Sequence, residues 1–448
     1  MAQISMVRKS QLEGAMRLDA EYYQPKYLEI ARILKQQPKV ANVGSLCKLI
    51  YRYPSFYNLV YQDHGVLVLK GEDIDAQGVI DNTKADHISR ETSESFPKTI
   101  LKKYDLIISV RGYVGKTGLV DSEYEGAIIS PNLIRLEVDS SKISPVYLWV
   151  FLNSRYGNLQ IARAKMQTSQ ETIVSSDIKN MLVPLPSLSF QTEIENIVEI
   201  ATKQGFQSKS LYLQAEQLLL DEIGFKDLDL SHQLCWTVPF KKTKEAGRLD
   251  AEHFQPKYEH ALSLLGQSGL QVKDIAKVSK DPFKARAGQP FNYIEIGNVH
   301  SNGLADSEKV LGEAAPSRAT WAVHTNDVIT STVRPIRRLS ALIEEEQEGY
   351  VCSSGFVVFQ ATGIQPEVFL VFLRLPIVCE ILDLKTKASM YPAISTDDLL
   401  ELPVAMPPKR VSEQIVQLIG DGHRAWRKSR RLLEEAKSKV ENLIEGKA

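Results

Sequence analysis

Cysteine is scarce in this 448-residue chain. The four residues, Cys47, Cys235, Cys352 and Cys379, form no CxxC pair and have no histidine at ligand spacing. That excludes a disulfide-stapled secreted scaffold and a structural zinc site, and fits a reducing compartment. Long apolar runs are missing too. No stretch approaches the roughly 18 residues of a membrane span, and "MAQISMVRKS" lacks the apolar core of a signal peptide. The expected location is therefore cytoplasmic, without membrane contact. Charge of one sign is also absent, since 54 basic residues stand against 55 acidic ones, for a net charge of −1. A nucleic-acid role would need local basic patches against an acidic remainder.

Catalytic motifs are equally thin. Gly115, Lys116 and Thr117 sit in "RGYVGKTGLV" (111–120), but the phosphate-loop spacing needs glycine at 110, which is Val110. Both flanks read as strand, so no helix N-terminus would receive a phosphate. The eight histidines form no HExxH. "DPF" (281–283) and "SPN" (130–132) fall short of the (N/D)PP(Y/F) loop with which amino-methyltransferases grip an extruded base. The acidic "EEEQE" (344–348) reads as a solvated hairpin tip. No catalytic residue, metal ligand or cofactor is assigned to this chain, and a binding role gains by elimination.

What the chain has in abundance is repetition. "RLDAEYYQPKY" at 17–27 returns as "RLDAEHFQPKY" at 248–258, with nine of eleven positions identical. The match continues at a drifting offset. "LVLKGEDIDAQGVI" (67–80) faces "YIEIGNVHSNGLAD" (293–306), and "YDLIISVRG" (104–112) faces "NDVITSTVRP" (326–335). "EGAIISPNLIRLEV" (125–138) faces "EGYVCSSGFVVFQA" (348–361), and "ISPVYLWVFLNS" (143–154) faces "IQPEVFLVFLRL" (364–375). "SSDIKNMLVPLPSL" (175–188) faces "STDDLLELPVAMPP" (395–408). A period near half the chain means two large domains, not a solenoid. Within each half, short β-branched runs broken by turn residues and followed by helix read as an α+β globule.

Each half closes in a long helical segment. Ile194, Ile197, Ala201, Gln204, Ser208, Leu211, Ala215 and Leu218 in the first, and Ile415, Ile419, Trp426, Leu433 and Val440 in the second, step by three, four or seven as coiled-coil seams do. Polar Gln204, Ser208 and Ser429 within the seams favour one specific pairing. Helices of 30–35 residues would run roughly 45–55 Å. The two either pair with each other or pack separately on their own domains; matched lengths favour pairing with pseudo-two-fold symmetry.

Candidate nucleic-acid residues lie where loops leave strands. They are Arg111, Tyr113 and Lys116 in the first half, and Arg334, Arg337 and Arg338 in the second. Arg52 and Lys70 end strand-like runs, and Lys284 and Arg286 lie among aromatics in "DPFKARAGQPFNY". Gln170 and Tyr391 come from the loops "KMQTSQETI" (165–173) and "KASMYPAI" (387–394). Arg and Lys contact phosphates or guanine, and Gln can bridge adenine. Each is equally an ordinary solvated loop residue until geometry is known. The run Arg424, Arg427, Lys428, Arg430, Arg431 reads as the outer face of a coiled coil.

The strand–loop text "YDLIISVRGYVGKTGLV", the junction "SSDIKNMLVPLPSLSFQ" and the duplicated plan resemble the DNA specificity subunit of type I restriction–modification systems. The resemblance covers essentially the whole chain. The second half departs from it, with "LPVAMPPKRVSEQ" at the junction and "RPIRRLS" in the loop. The resemblance implies target recognition domains at 1–186 and 225–407 (linker 225–240), and spacer helices at 187–224 and 408–448 paired as an antiparallel coiled coil. Partners would be double-stranded DNA, two methyltransferase subunits and, for restriction, motor–nuclease subunits. S-adenosylmethionine, ATP and magnesium would belong to those partners. The alternatives are a stand-alone duplicated regulator or adaptor, and the C-terminal part of a fused methyltransferase. The shared motif is expected to be scaffold, with partner docking as the sharper alternative.

Overall fold

The structure, a computed structural model, describes residues 6–9, 12, 17–52, 59–62, 64–82, 86–165, 172–226, 228–386 and 392–447. The chain divides into one unit of Met1–Gln204 with Arg427–Ala448, and a second of Gly205–Trp426. Both mix helix and sheet.

In the first unit an antiparallel sheet runs in the order Cys47–Arg52, Leu133–Val138, Leu106–Ser109, Thr117–Leu119. Leu106–Ser109 is buried throughout, which is why its text is a continuous apolar run and not an alternating one. Behind it lies Pro145–Asn153, apolar on every side and buried from Val146 onward. Its start is encoded locally: Pro145 needs no N–H partner in the first turn, and the Ser144 side chain accepts from the Tyr147 amide. A second sheet sets Val66–Leu69 between His87–Ile88 and Ile128–Ile129, parallel to the latter.

The second unit repeats this order, with Ala276–Ser279, Phe356–Ala361, Asp327–Ser331 and Ser340–Leu342 in an antiparallel sheet. Pro366–Leu373 is its buried apolar helix. Its other sheet sets Pro290–Ile294 between Glu308–Leu311 and Val351–Ser353, again parallel to the latter, and adds Ala319–Ala322 and Asp281–Pro282 beyond.

The long helices span Leu188–Glu222 and Lys409–Ile444. In the first unit Ile194, Val198 and Ala201 share a core with Leu433, Ala436, Val440 and Ile444, and Lys439 Nζ meets Glu193 at 2.6 Å. In the second, Tyr212, Ala215 and Leu219 share a core with Val411, Ile415 and Ile419. There Gly422 brings backbone close to backbone: a Cβ would lie 3.4 Å from the Ser208 carbonyl oxygen. Of the seam residues, Ile197, Leu211, Leu218 and Trp426 are only half-buried, while Val198, Tyr212 and Leu219 are buried. Each helix faces a sheet as well as another helix, so its buried stripe is wider than an a/d seam. Arg430 corrects the outer-face reading. It is 9% exposed, pairs with Asp75 and donates to Gln77 Oε1 at 3.0 Å.

The repeated motif is a tie and not a strand. Ala20–Tyr23 and Ala251–Phe254 are 3-10 turns leading into helices at Pro25 and Pro256. Arg17 bonds Asp19 at 2.7 and 2.9 Å, stacks over Tyr22 at 4.4 Å, and reaches the carbonyls of Ala164 and Lys165, both at 3.4 Å. Arg248 bonds Asp250 at 2.6 and 2.8 Å and the Leu384 carbonyl at 2.6 Å. Those carbonyls end the helices Arg155–Ala164 and Pro376–Asp383, where a cation satisfies orphan acceptors and favours the dipole.

Candidate nucleic-acid interface

Two hairpin loops carry most of the sequence candidates. In the first unit the connection 110–116 leaves Leu106–Ser109 and returns into Thr117–Leu119. Gly112 and Gly115 take φ of 74° and 100°, the left-handed region that glycine enters without penalty. A Cβ at Gly115 would come 2.7 Å from Ile161 Cγ2, so this glycine is required for space as well. Arg111 is exposed, with no hydrogen-bonding or acidic partner among the described residues. Tyr113 is 53% exposed, and Lys116 Nζ lies 4.7 Å from its ring while donating to the Ile74 carbonyl at 2.6 Å. Arg52, at the end of the neighbouring strand, is pushed below the usual arginine value by burial and then by the Arg111 charge. An anion near them would relieve that repulsion.

In the second unit the loop runs from Asp327–Ser331 to Ser340–Leu342 around a 3-10 turn, Pro335–Arg337. Here the left-handed residues are arginines: Arg334 at φ 50° and Arg338 at φ 59°. Arg334 donates its backbone N–H to the Pro392 carbonyl at 2.8 Å. Its side chain and that of Arg337 have no partner among the described residues, and both are half-buried. Arg338 is different. It pairs with Glu216 and donates to the Arg374 carbonyl at 2.6 Å, so its charge is used inside the fold.

Other candidates scatter. Lys284 and Arg286 are exposed and unpaired among the described residues, beside the Phe283 and Phe291 rings with centroids 4.7 Å apart. Lys70 is held by Asp86 and lies 4.6 Å from the Tyr61 ring, which neutralises it locally. Gln170 and Tyr391 lie outside the described residues. Sequence reading missed Glu216, Tyr212, Arg374 and Asp75, which support these loops and turns from behind. The only textual signal was an acid one place after the seam residue Ala215.

The acidic run also departs from the solvated-tip reading. Glu344 stands 3.5 Å from His423, and Gln347 is buried and donates to the Ala305 carbonyl at 2.8 Å. Glu348 bonds His324 Nδ1 at 2.7 Å and the Thr325 amide at 2.7 Å. The hydrogen bond to Glu348 raises His324 above 6.5, and His324 with Thr325 holds Glu348 down at about 2. A raised histidine stabilises while protonated, so this contact is complete below 6.5 and lost as pH rises through the folded value. A depressed carboxylate contributes above 4.5 and is lost as pH falls through about 2. An NMR titration should place the His324 midpoint above 6.5, and Glu348→Gln should lower it; an unmoved midpoint contradicts the pairing.

Among the described residues no helix is long and apolar enough to cross a membrane, and no three metal-ligating side chains converge.

Residues 56–208 match the type I restriction modification DNA specificity domain. That match spans about a third of the chain, and the relatives with which the chain aligns are specificity subunits of type I restriction enzymes. The chain is 26% identical over 135 residues to the type I restriction enzyme EcoBI specificity subunit of Escherichia coli, covering 30% of this chain and 28% of that one. The chain therefore aligns with about a quarter of that relative's length. It is 23% identical over 380 residues to the provisionally named type I restriction enzyme MjaX specificity subunit of Methanocaldococcus jannaschii, covering 82% and 83%. The crystal structure of a type I restriction-modification system S subunit from M. genitalium aligns over 91% of this chain and 94% of its own at 14% identity, with TM-score 0.35.

Proposed function

We propose that this chain is the non-catalytic DNA-recognition subunit of a type I restriction–modification complex, each unit reading one half of a bipartite, asymmetric target. The observation that carries this is the same strand order in both units, with the loops leaving equivalent strands built differently. Common strands suit a common scaffold, and different loops suit different half-sites. The reading takes the chain as a tandem duplication, with recognition domains at 1–186 and 225–407 and spacer helices at 187–224 and 408–448. It takes the helices as an antiparallel coiled coil, supported by Glu193 beside Lys439 in one unit and Ser208 beside Gly422 in the other.

Arg111, Arg334 and Arg337, with Lys284 and Arg286, are the residues offered to DNA; Arg52 lends charge from behind. Arg338, Lys70 and Lys116 serve the loops themselves. The helices would set the spacer between half-sites and dock two methyltransferase subunits, with motor–nuclease subunits joining for restriction. S-adenosylmethionine, ATP and magnesium then act on the partners, in the cytoplasm. Purification of the tagged chain from its own host tests the assembly. Two methyltransferase chains per copy are expected; a lone chain binding DNA by itself would favour a stand-alone regulator.

A further inference from the structure

Within the second unit, the part of the first long helix that belongs to it carries a buried acid. Glu216 is 7% exposed and takes the Arg338 guanidinium in an ion pair. Arg374, 3% exposed, spends its fork on the Tyr212 hydroxyl at 2.8 Å and the carbonyls of Ser340 and Ser301, each at 2.7 Å. Tyr212 and Glu216 are four residues apart and share one helix face. That face supports two arginines, and these hold the backbone where the loop rejoins its strand.

Arg338 closes the turn Pro335–Arg337 in the left-handed region, which disfavours any residue with a Cβ. The first unit's loop uses glycine at the corresponding point, Gly115. An arginine kept against that preference is kept for its side chain, and the described acid it meets is Glu216.

We propose that Glu216 is a positioning residue for target reading. Through Arg338 it fixes the turn that presents Arg334 and Arg337, so the helix assigned to the spacer also sets how one half-site is read. This rests on the DNA-recognition reading above. The test is enrichment from a randomised duplex pool by the full chain with its co-purified subunits. Wild type should enrich a two-part motif. Glu216→Gln should keep one part and the spacing while discrimination in the other part falls about tenfold. Should the glutamine variant fail to fold, Glu216→Asp keeps the charge, shortens the reach and should show the same one-sided loss. Undiminished discrimination, or equal loss in both parts, overturns the proposal. No motif from wild type would instead overturn the DNA-recognition reading itself.

Discussion

Arg334→Gly is expected to leave the second unit as stable as wild type, or about 1 kcal/mol more stable, while discrimination at one half-site falls about ten- to hundredfold. The two effects have separate causes. Arg334 stands at φ 50°, where glycine is at ease and arginine is not. Its backbone N–H bond to Pro392 survives the change, and its side chain has no partner among the described residues to lose. Removing it therefore relieves backbone strain without breaking a hydrogen bond or ion pair of its side chain among the described residues. A residue kept at a strained φ, with no polar partner for its side chain among the described residues, is expected to be held by what it does outside the chain. Thermal melting and half-site discrimination, measured on one preparation, should move independently or in opposite directions. Parallel loss of both would make Arg334 a structural residue.

Arg430→Met is expected to destabilise the first unit by about 3–5 kcal/mol. The Arg430 and Asp75 side chains are 11% and 10% exposed, so the substitution strands a carboxylate in a site closed to water. Gln77 loses its 3.0 Å partner as well. Asp75 and Gln77 lie on the turn Asp75–Gly78, where the Asp75 carboxylate already accepts the Gln77 and Val79 amides at 2.8 and 2.9 Å. That turn is what the second long helix grips. Replacing both partners, as in Asp75→Asn with Arg430→Met, should recover much of the loss, because the unpaired carboxylate is gone while a side-chain oxygen can still accept the Gln77 and Val79 amides. Chemical denaturation of the three variants checks this. A single substitution costing under about 1 kcal/mol would mean the pair is solvated.

Much of the architecture was legible because it rests on local patterns. The strands "LIIS" and "VITS" are apolar runs of strand length after a turn, and the helices at Pro145 and Pro366 announce themselves by proline at the first position. The repeat pointed to two large domains before any contact was known. What stayed hidden depends on partners distant in sequence. Glu216 and Arg338 are 122 residues apart and Gln77 and Arg430 are 353 apart, and neither charge differs in the text from its solvated neighbours. In "RRLS" the sequence distinguishes Arg337 from Arg338 by nothing, yet one is presented and the other is consumed. The motif "RLDAEYYQPKY" drew the eye by its identity. Its arginine turns out to fasten a helix end in each unit, which both halves need alike and which therefore has no reason to diverge.

The central claim is that this chain chooses DNA targets by two half-site readers on a common scaffold. Mapping modified adenines across the host genome, with the chain present and with it deleted, tests that most directly. The account predicts a gapped, two-part methylated motif that vanishes on deletion and is altered in one half only by Arg334→Gly. An unchanged modification map after deletion would contradict it.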